Sequence, residues 1–199
     1  MKHNTAQVAA LQPDYLGFIF YDKSPRNFEI DISEKYNNIK KVGVFVNASI
    51  QDIIEAIKNH HLDVIQLHSD ESPQFCEELK ARQPIELWKV FSIKDTFDFS
   101  VLKDFENKAD KFLFDTKGIT KGGNGYTFNW SVLNNYPSQK PFILSGGIGL
   151  DEVEKVKEIL KTDLPIYAID VNSKFESEPG LKNIKSLKDL VSQLKEYLQ

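Results

Sequence analysis

The sequence has almost no cysteine and no long hydrophobic run, and each absence excludes a class of protein. Its 199 residues include a single cysteine, Cys76, so no disulfide can form within the chain. No apolar stretch approaches the roughly 18 residues of a membrane span, and the first ten residues lack the apolar core of a secretion signal. We therefore expect a cytoplasmic protein that is neither embedded in a membrane nor stabilised by disulfides.

A surplus of basic residues and the common nucleotide-binding motifs are also missing. The formal net charge is −4, which predicts no partner among nucleic acids or anionic membranes. Neither Gly123-Asn124-Gly125 nor Gly147-Ile148-Gly149 continues to the third glycine of a dinucleotide fingerprint, and no P-loop motif occurs. The 4 histidines lack metal-site spacing. We expect no metal, no cofactor, and a monomer or homodimer that binds a small-molecule substrate.

What the sequence does contain is an alternation of strand and helix patterns. Runs typical of buried parallel strands begin at seven positions, which are Tyr15, Lys41, Asp63, Glu86, Lys111, Pro141 and Ile166. About eight segments with helical periodicity accompany them. The length suits a single domain over residues 1–199. Repeated βα units allow an open doubly wound sheet or a (β/α)₈ TIM barrel, and the barrel needs one more strand than these runs supply.

Small and polar residues follow the last two predicted strands, at the edge where parallel α/β proteins bind ligands. Ser145-Gly146-Gly147 precedes a helix, so its backbone N–H groups favour an anion, although a tight turn is the alternative. Asn172 and Ser173 follow the next strand. Because the loops after the last two strands often form the phosphate site of a barrel, the two loops together predict phosphate binding.

Other strand ends carry residues suited to catalysis or binding. Asp115 could be a general acid or base, with a helix cap or loop salt bridge as the alternative. Arg26 could bind a carboxylate or phosphate, or could be a solvated surface residue. The position of His68 at a strand end favours a role as a polar terminal residue or as the source of an orienting hydrogen bond over a catalytic role. The glycine-rich stretch 122–125 suits a mobile lid or a plain loop. Cys76 lies on the apolar stripe of a helix, which predicts a packing role.

Taken together, these strand ends resemble the phosphoribosylanthranilate isomerase family across essentially the whole chain. The matching runs come in the family's order and spacing, and they are GFIFYDKSPRNF, VGVFVN, IQLHSDE, WKVF, FLFDT, GGNGYTFNW, PFILSGGI and IDVNSKFESEPGLKN. Each run alone is weakly specific. The combination of SPR, QLH, FDT and DVNS distinguishes this family from other barrels that share the SGG-type loop.

The resemblance implies a TIM barrel that catalyses a cofactor-free Amadori rearrangement in tryptophan biosynthesis. N-(5-phosphoribosyl)anthranilate would become 1-(2-carboxyphenylamino)-1-deoxyribulose 5-phosphate. By the same resemblance, Asp115 is the general acid and Arg26 binds the anthranilate carboxylate. We assign the remaining substrate contacts to His68 and to a phosphate-binding group formed by Gly146, Gly147, Asn172 and Ser173.

One part of the family pattern has no counterpart in this sequence. The resemblance implies a first strand ending in a Lys-Ile-Cys-Gly-like run, whose cysteine thiolate is the general base, and Met1-Lys2-His3 aligns just after it. We therefore expect a barrel with its first strand missing and with weak or no activity. Either the start codon was assigned too late or the chain is truly short. Ser69 and Lys174 replace usual glycines, and Asn124 replaces a usual threonine, which affects loop conformation.

Two other functions remain open at this stage. A non-catalytic barrel that binds a phosphate ligand would keep the anion-binding loops and need no base. Another sugar-phosphate barrel enzyme, such as an indole-glycerol-phosphate synthase or a histidine-pathway isomerase, would share the phosphate loops. The SPR and QLH strand ends count against this last class.

Overall fold

The computed structural model describes residues 2–29, 36, 38–116 and 127–197, and its main feature is a seven-stranded parallel sheet. The strands are β1 (Tyr15–Phe20), β2 (Lys40–Phe45), β3 (Val64–Leu67), β4 (Glu86–Ile93), β5 (Lys111–Thr116), β6 (Phe142–Leu144) and β7 (Ile166–Ile169). They pair in chain order, and every pair is parallel. All seven carboxyl ends therefore meet at one edge of the sheet, which we call the rim.

Among the described residues, α-helices lie between β2 and β3, β3 and β4, and β6 and β7, and a short hairpin follows β7. The α-helices are α1 (Thr5–Ala9), α2 (Ile50–His60), α3 (Pro73–Arg82), α4 (Val153–Leu160) and α5 (Ile184–Leu194). An antiparallel hairpin, which the sequence analysis did not predict, pairs β8 (Glu176–Glu178) with β9 (Leu181–Lys182). Across the part of the chain described, none of the helices combines the length and the apolar character that crossing a bilayer requires.

The segments after β4 and β5 differ from the helical expectation. Residues 99–105 and 130–135 form 3₁₀-helices, and 3₁₀ turns also occupy 150–152 and 173–175. The segments FSVLKDF and WSVLNN contain aromatic, β-branched and asparagine residues, which have low α-helix propensity, and they are too short for two full α-helical turns. Within the described ranges there are five α-helices against the roughly eight expected, and the four 3₁₀ segments bring the total to nine.

Serine caps begin two of the outer helices. The side chain of Ser49 accepts a hydrogen bond from Asp52 N at 3.1 Å, and that of Ser72 accepts one from Phe75 N at 3.2 Å. Within α3, Cys76 is fully buried in the core cluster, in agreement with its predicted packing role. Burial raises the pKa of the Cys76 thiol to about 11, so the thiol is neutral at physiological pH.

The two faces of the sheet pack against different partners. Helix residues and one face of the strands share the larger core cluster. The other face packs mainly against itself, through a smaller cluster contributed by β2 to β6, namely Val42, Val64, Trp88, Val90, Leu113 and Ile143. A sheet whose inner face fills its own interior is curled into a barrel. The prediction of a TIM-barrel sheet with seven strands is confirmed.

The amino-terminal end of the sheet is closed by polar and aromatic contacts. The hydroxyl groups of Tyr15 on β1 and Tyr167 on β7 are 2.6 Å apart, which joins the two outer strands. Burial and the hydrogen bond to Tyr167 raise the pKa of Tyr15. Nearby, the Glu86 carboxylate is 2.5 Å from Lys111 Nζ and 3.4 Å from Lys40 Nζ. This end of the sheet is structural, because its charged groups are already paired with one another.

Replacing Glu86 by glutamine should reduce the loss of stability in acid. Burial alone would raise the pKa of Glu86, but hydrogen bonds from Lys111 and Trp88 outweigh it, so the pKa lies below its ordinary 4.5. A lowered carboxyl pKa contributes stability that is present above the unfolded-state value and disappears as pH falls through the folded-state value. Urea unfolding at about pH 7 and about pH 3 should show a smaller difference for Glu86→Gln than for the unchanged chain. Equal differences would contradict the ion-pair account.

Candidate active site

Asp115 lies near the carboxyl end of β5, and both of its carboxylate oxygens contact a nitrogen. Oδ1 accepts a hydrogen bond from Thr116 N at 2.8 Å, and Oδ2 lies 3.3 Å from Nε2 of His68, which follows β3. The Asp115 side chain is 12% exposed, so it is held firmly and can still be reached from the rim. A carboxyl group in this position can exchange a proton with a bound ligand.

Gln66 determines how the His68 ring faces Asp115. The side-chain nitrogen Nε2 of Gln66 is 3.0 Å from Nδ1 of His68. An amide nitrogen donates and does not accept, so Nδ1 is the acceptor and the neutral ring carries its proton on Nε2. With this assignment His68 donates to the Asp115 carboxylate. The sequence predicts His68 as a substrate contact, and in the structure its Nε2 atom lies 3.3 Å from Oδ2 of the predicted general acid.

The turn after β6 passes directly over Asp115. Gly146 and Gly147 have φ values of +89° and +70°, a conformation that side chains other than glycine rarely adopt. A Cβ added to Gly146 would lie 2.7 Å from Asp115 Oδ1 and would also collide with the backbone nitrogen of Thr116. The predicted anion-binding turn and the predicted acid therefore belong to one contiguous site.

A second carboxyl group, Asp170, lies next to this turn. Ser145 Oγ donates a hydrogen bond to Asp170 Oδ2 at 2.7 Å. Burial, aided by the negative charge of Asp115, raises the pKa of Asp170 and outweighs the opposing hydrogen bond from Ser145 and the charges of Lys182 and His68. Asp170 is not among the site residues predicted from the sequence. Its position immediately after a strand was the available signal.

The loops after β6 and β7 are adjacent, as a shared phosphate site requires. A Cβ added to Gly149 would lie 3.3 Å from Cβ of Lys174, so the two loops touch. Asn172 is held in place by Lys182, whose Nζ donates to the Asn172 backbone oxygen at 3.1 Å and to Oδ1 at 2.6 Å. Ser173 begins the short 3₁₀ turn that follows. These loops carry the four residues predicted to bind phosphate.

Arg26 follows β1 and is not a solvated surface residue. Its Nε and Nη2 atoms lie 2.8 Å and 2.7 Å from Oε2 of Glu176, in β8. The other carboxylate oxygen of Glu176 is 3.0 Å from Lys182 Nζ. The side chain of Arg26 is only 16% exposed. The surface alternative considered for Arg26 is therefore excluded, and a charged cluster of three residues lies at the rim.

A buried ion pair, which the sequence analysis missed, supports two further rim loops. Lys89 and Glu71 are 3.2 Å apart, with side chains 3% and 2% exposed. The Glu71 carboxylate also accepts hydrogen bonds from Asn47 N at 2.9 Å and Ser69 N at 3.0 Å. It thereby holds the loops after β2 and β3, including Ser69, which replaces a glycine usual in the resembled family. A lysine within the apolar run WKVF was the one signal of this pair.

Two further predictions concern the rim. The glycine-rich stretch 122–125, with Asn124, lies outside the described residues. After this stretch, Phe128 N donates a hydrogen bond to Thr116 Oγ1 at 3.1 Å, so the chain is again next to the end of β5. Among the residues that are described, histidine, cysteine and acidic side chains form no cluster of three that could hold a metal ion.

Comparison with known proteins identifies the family of the chain that carries this rim. A family model described as N-(5′-phosphoribosyl)anthranilate (PRA) isomerase matches residues 2–193. The chain belongs to the PRA isomerase family. A relative from Parabacteroides distasonis, named N-(5′-phosphoribosyl)anthranilate isomerase, is 41% identical over 198 residues, which covers 96% of this chain and 88% of the relative. The resemblance stated from the sequence is confirmed, and with it the isomerase class.

Solved PRA isomerases share the fold of the chain. The structure from Thermus thermophilus superposes with a TM-score of 0.81 at 23% identity and covers 97% of this chain and 93% of that one. A PRA isomerase solved in complex with reduced 1-(o-carboxyphenylamino)-1-deoxyribulose 5-phosphate gives a TM-score of 0.74 at 24% identity, covering 98% and 94%. At these identities the likeness establishes the barrel fold.

Replacing Gly146 by alanine should destabilise the protein and disturb Asp115. The added methyl group would occupy a positive-φ position and collide with Thr116 and Asp115, so the free energy of unfolding should fall by about 1–3 kcal/mol. Gly17→Ala is the matched control, because a Cβ added there meets nothing within 4 Å. The control should change stability by less than about 0.5 kcal/mol in urea unfolding. Equal stability of the two variants would contradict the close contact at Gly146.

Proposed function

We propose that this chain acts as a phosphoribosylanthranilate isomerase in which Asp115 is the general acid. The observation that carries the proposal is the position of Asp115 at the rim. It receives a hydrogen bond from Thr116 N, lies beside His68 Nε2, and contacts the Gly146 turn. An acid adjoining a predicted phosphate turn suits a sugar phosphate, because one end of the ligand is bound while the other is protonated.

The proposed reaction begins with proton transfer from Asp115 to the ribose ring oxygen. The bond between this oxygen and C1′ breaks, which gives a Schiff base between C1′ and the anthranilate nitrogen. A base removes the proton from C2′, and the resulting enolamine tautomerises to the ketone. After the first step, Thr116 N and His68 Nε2 donate hydrogen bonds to the Asp115 carboxylate that forms.

The substrate would lie across the rim, with its two acidic ends bound apart. We assign the anthranilate carboxylate to Arg26, because a guanidinium pairs with a carboxylate through two parallel hydrogen bonds. The phosphate is assigned to backbone groups on the two adjacent loops, at Gly146, Gly147, Asn172 and Ser173. The positive-φ turn and the contact between the two loops support this assignment. His68 contributes through Asp115.

The 199 residues supply no thiolate at the rim that could act as the general base. Cys76 is the chain's one cysteine, and it is buried in an outer helix with a raised thiol pKa. We therefore propose that the polypeptide as given turns over slowly. Loss of a proton-transfer group typically costs about 10²–10⁴-fold in rate.

Extending the chain should restore turnover. A variant with a strand-forming segment ending in Cys-Gly before Met1 should turn over about 10²–10⁴-fold faster than the 199-residue chain. The loss of substrate fluorescence provides the assay. The control is the same extension with alanine in place of its cysteine, which should fold equally well and stay slow. Equal rates for the cysteine and alanine extensions would contradict a thiolate base.

Asp115→Asn in the extended chain should abolish proton donation without preventing binding. The amide keeps the size of the side chain but cannot deliver a proton to the ring oxygen, so kcat should fall by about 10²–10⁴-fold. Calorimetric binding of the reduced product analogue should change little. If Asp115→Asn leaves kcat within about twofold, Asp115 is not the general acid.

A second candidate is a non-catalytic barrel that binds a phosphate ligand. It is favoured by the presence of both phosphate loops in a chain without a thiolate at the rim. Tight binding of the reduced product analogue, with no turnover in the 199-residue or the extended chain, would support it. In either case we propose a single domain over residues 1–199, supported by the unbroken sheet from β1 to β7, and a monomer or homodimer.

A further inference from the structure

Glu176 lies between the two cations of the charged cluster at the rim. Its Oε2 atom accepts hydrogen bonds from both Nε and Nη2 of Arg26, while its Oε1 atom is 3.0 Å from Lys182 Nζ and 3.2 Å from the Gly180 nitrogen. The side chain of Glu176 is 4% exposed and that of Lys182 is 8% exposed. Each carboxylate oxygen is therefore fully used within the protein.

These contacts fix one edge of the Arg26 guanidinium. Nε and Nη2 form a single edge of the planar group, and both donate to the same oxygen of Glu176. The adjacent edge, formed by Nη1 and Nη2, keeps one N–H on each nitrogen that is not directed at Glu176. This second edge has the geometry that a ligand carboxylate needs for a paired interaction. An arginine held in this way loses little side-chain freedom when a ligand binds.

The other half of the Glu176 carboxylate pairs with Lys182, which itself bonds the predicted phosphate loop. Lys182 donates to Asn172 through both the backbone and the side-chain oxygen. Burial lowers the pKa of Lys182, and the charge of Glu176 opposes that effect. Without the Glu176 charge, Arg26 and Lys182 would be two little-exposed cations with no common counter-ion. Lys182 bonds Asn172 directly, so the contact with this loop does not pass through Glu176, whereas the orientation of Arg26 does.

We propose that Glu176 is a positioning residue for substrate recognition, which orients Arg26 so that its free edge receives the substrate carboxylate. The inference rests on the role of Arg26 in the proposed function. Two other roles give different results and can be tested. Glu176 could stabilise the fold without affecting recognition, or it could compete with the ligand for Arg26, in which case its removal would tighten binding.

The experiment measures binding, so that it does not depend on the missing base. Dissociation constants are determined by calorimetry for the reduced product analogue and for its counterpart without the aromatic carboxylate. Glu176→Gln should weaken binding of the carboxylated ligand by about tenfold, because a charge-assisted hydrogen bond is lost from the orienting pair. Binding of the decarboxylated ligand should stay within about twofold. Glu176→Asp keeps the charge but shortens the reach, and should give the same selective loss if Glu176→Gln fails to fold.

A double variant tests whether Glu176 acts through Arg26. Arg26→Gln alone should weaken binding of the carboxylated ligand. Adding Glu176→Gln should change the dissociation constant of that ligand by less than about twofold further. Glu86→Gln is the matched control, because Glu86 also bridges two cations but lies at the opposite end of the sheet. This control should lower stability and leave both dissociation constants unchanged.

The outcomes separate the alternatives. Equal weakening of both ligands by Glu176→Gln, or a full further loss in the Arg26→Gln background, would overturn the positioning role. Tighter binding of the carboxylated ligand would overturn it in favour of competition. If Arg26→Gln leaves the carboxylated ligand unaffected, Arg26 does not bind that carboxylate and the positioning role fails with it. If neither ligand binds the unchanged chain, the proposed function itself fails.

Discussion

The backbone hydrogen bonds between neighbouring parallel strands determine where the central candidate functional groups lie. Three of these groups come directly after a strand and are still bonded to the strand before it. His68 N donates to Phe45 O at 2.8 Å, Ser145 N to Phe114 O at 2.9 Å, and Asp170 N to Leu144 O at 2.8 Å. Their positions are therefore set by the sheet and not by the loops that follow. A change in register at one strand would move the polar side chain at its end away from its neighbours.

The charged groups at the rim are arranged so that few lie without a counter-ion. Lys89 with Glu71 and Glu176 with its two cations are nearly inaccessible to water, where an isolated charge would be costly. Asp170 is the contrasting case, since burial raises its pKa and its closest partner is the hydroxyl of Ser145. Such pairing gives the rim stiffness, and stiffness favours recognition of a ligand with two fixed acidic ends.

Much of the fold could be predicted because the signals are local. Each buried strand is a short apolar run, and Ser49 and Ser72 are caps that can be identified from adjacent residues. Asp115 and Gly146 could be proposed because they end or follow such runs. Glu176 could not, since its significance depends on Arg26, 150 positions away in the chain. The 3₁₀-helices were missed for another reason, because hydrophobic periodicity over six or seven residues does not distinguish them from α-helices.

The contact between Tyr15 and Tyr167 has a consequence for the mechanical behaviour of the barrel. Among the described residues, β1 and β7 share no backbone ladder, so the two phenols act as a latch at the amino-terminal end. A single hydrogen bond of this kind contributes about 1 kcal/mol. The seam between the outer strands is therefore held at both ends, by this hydrogen bond at the base and by the Arg26–Glu176 ion pair at the rim, so loss of one contact would leave the seam fastened at the other.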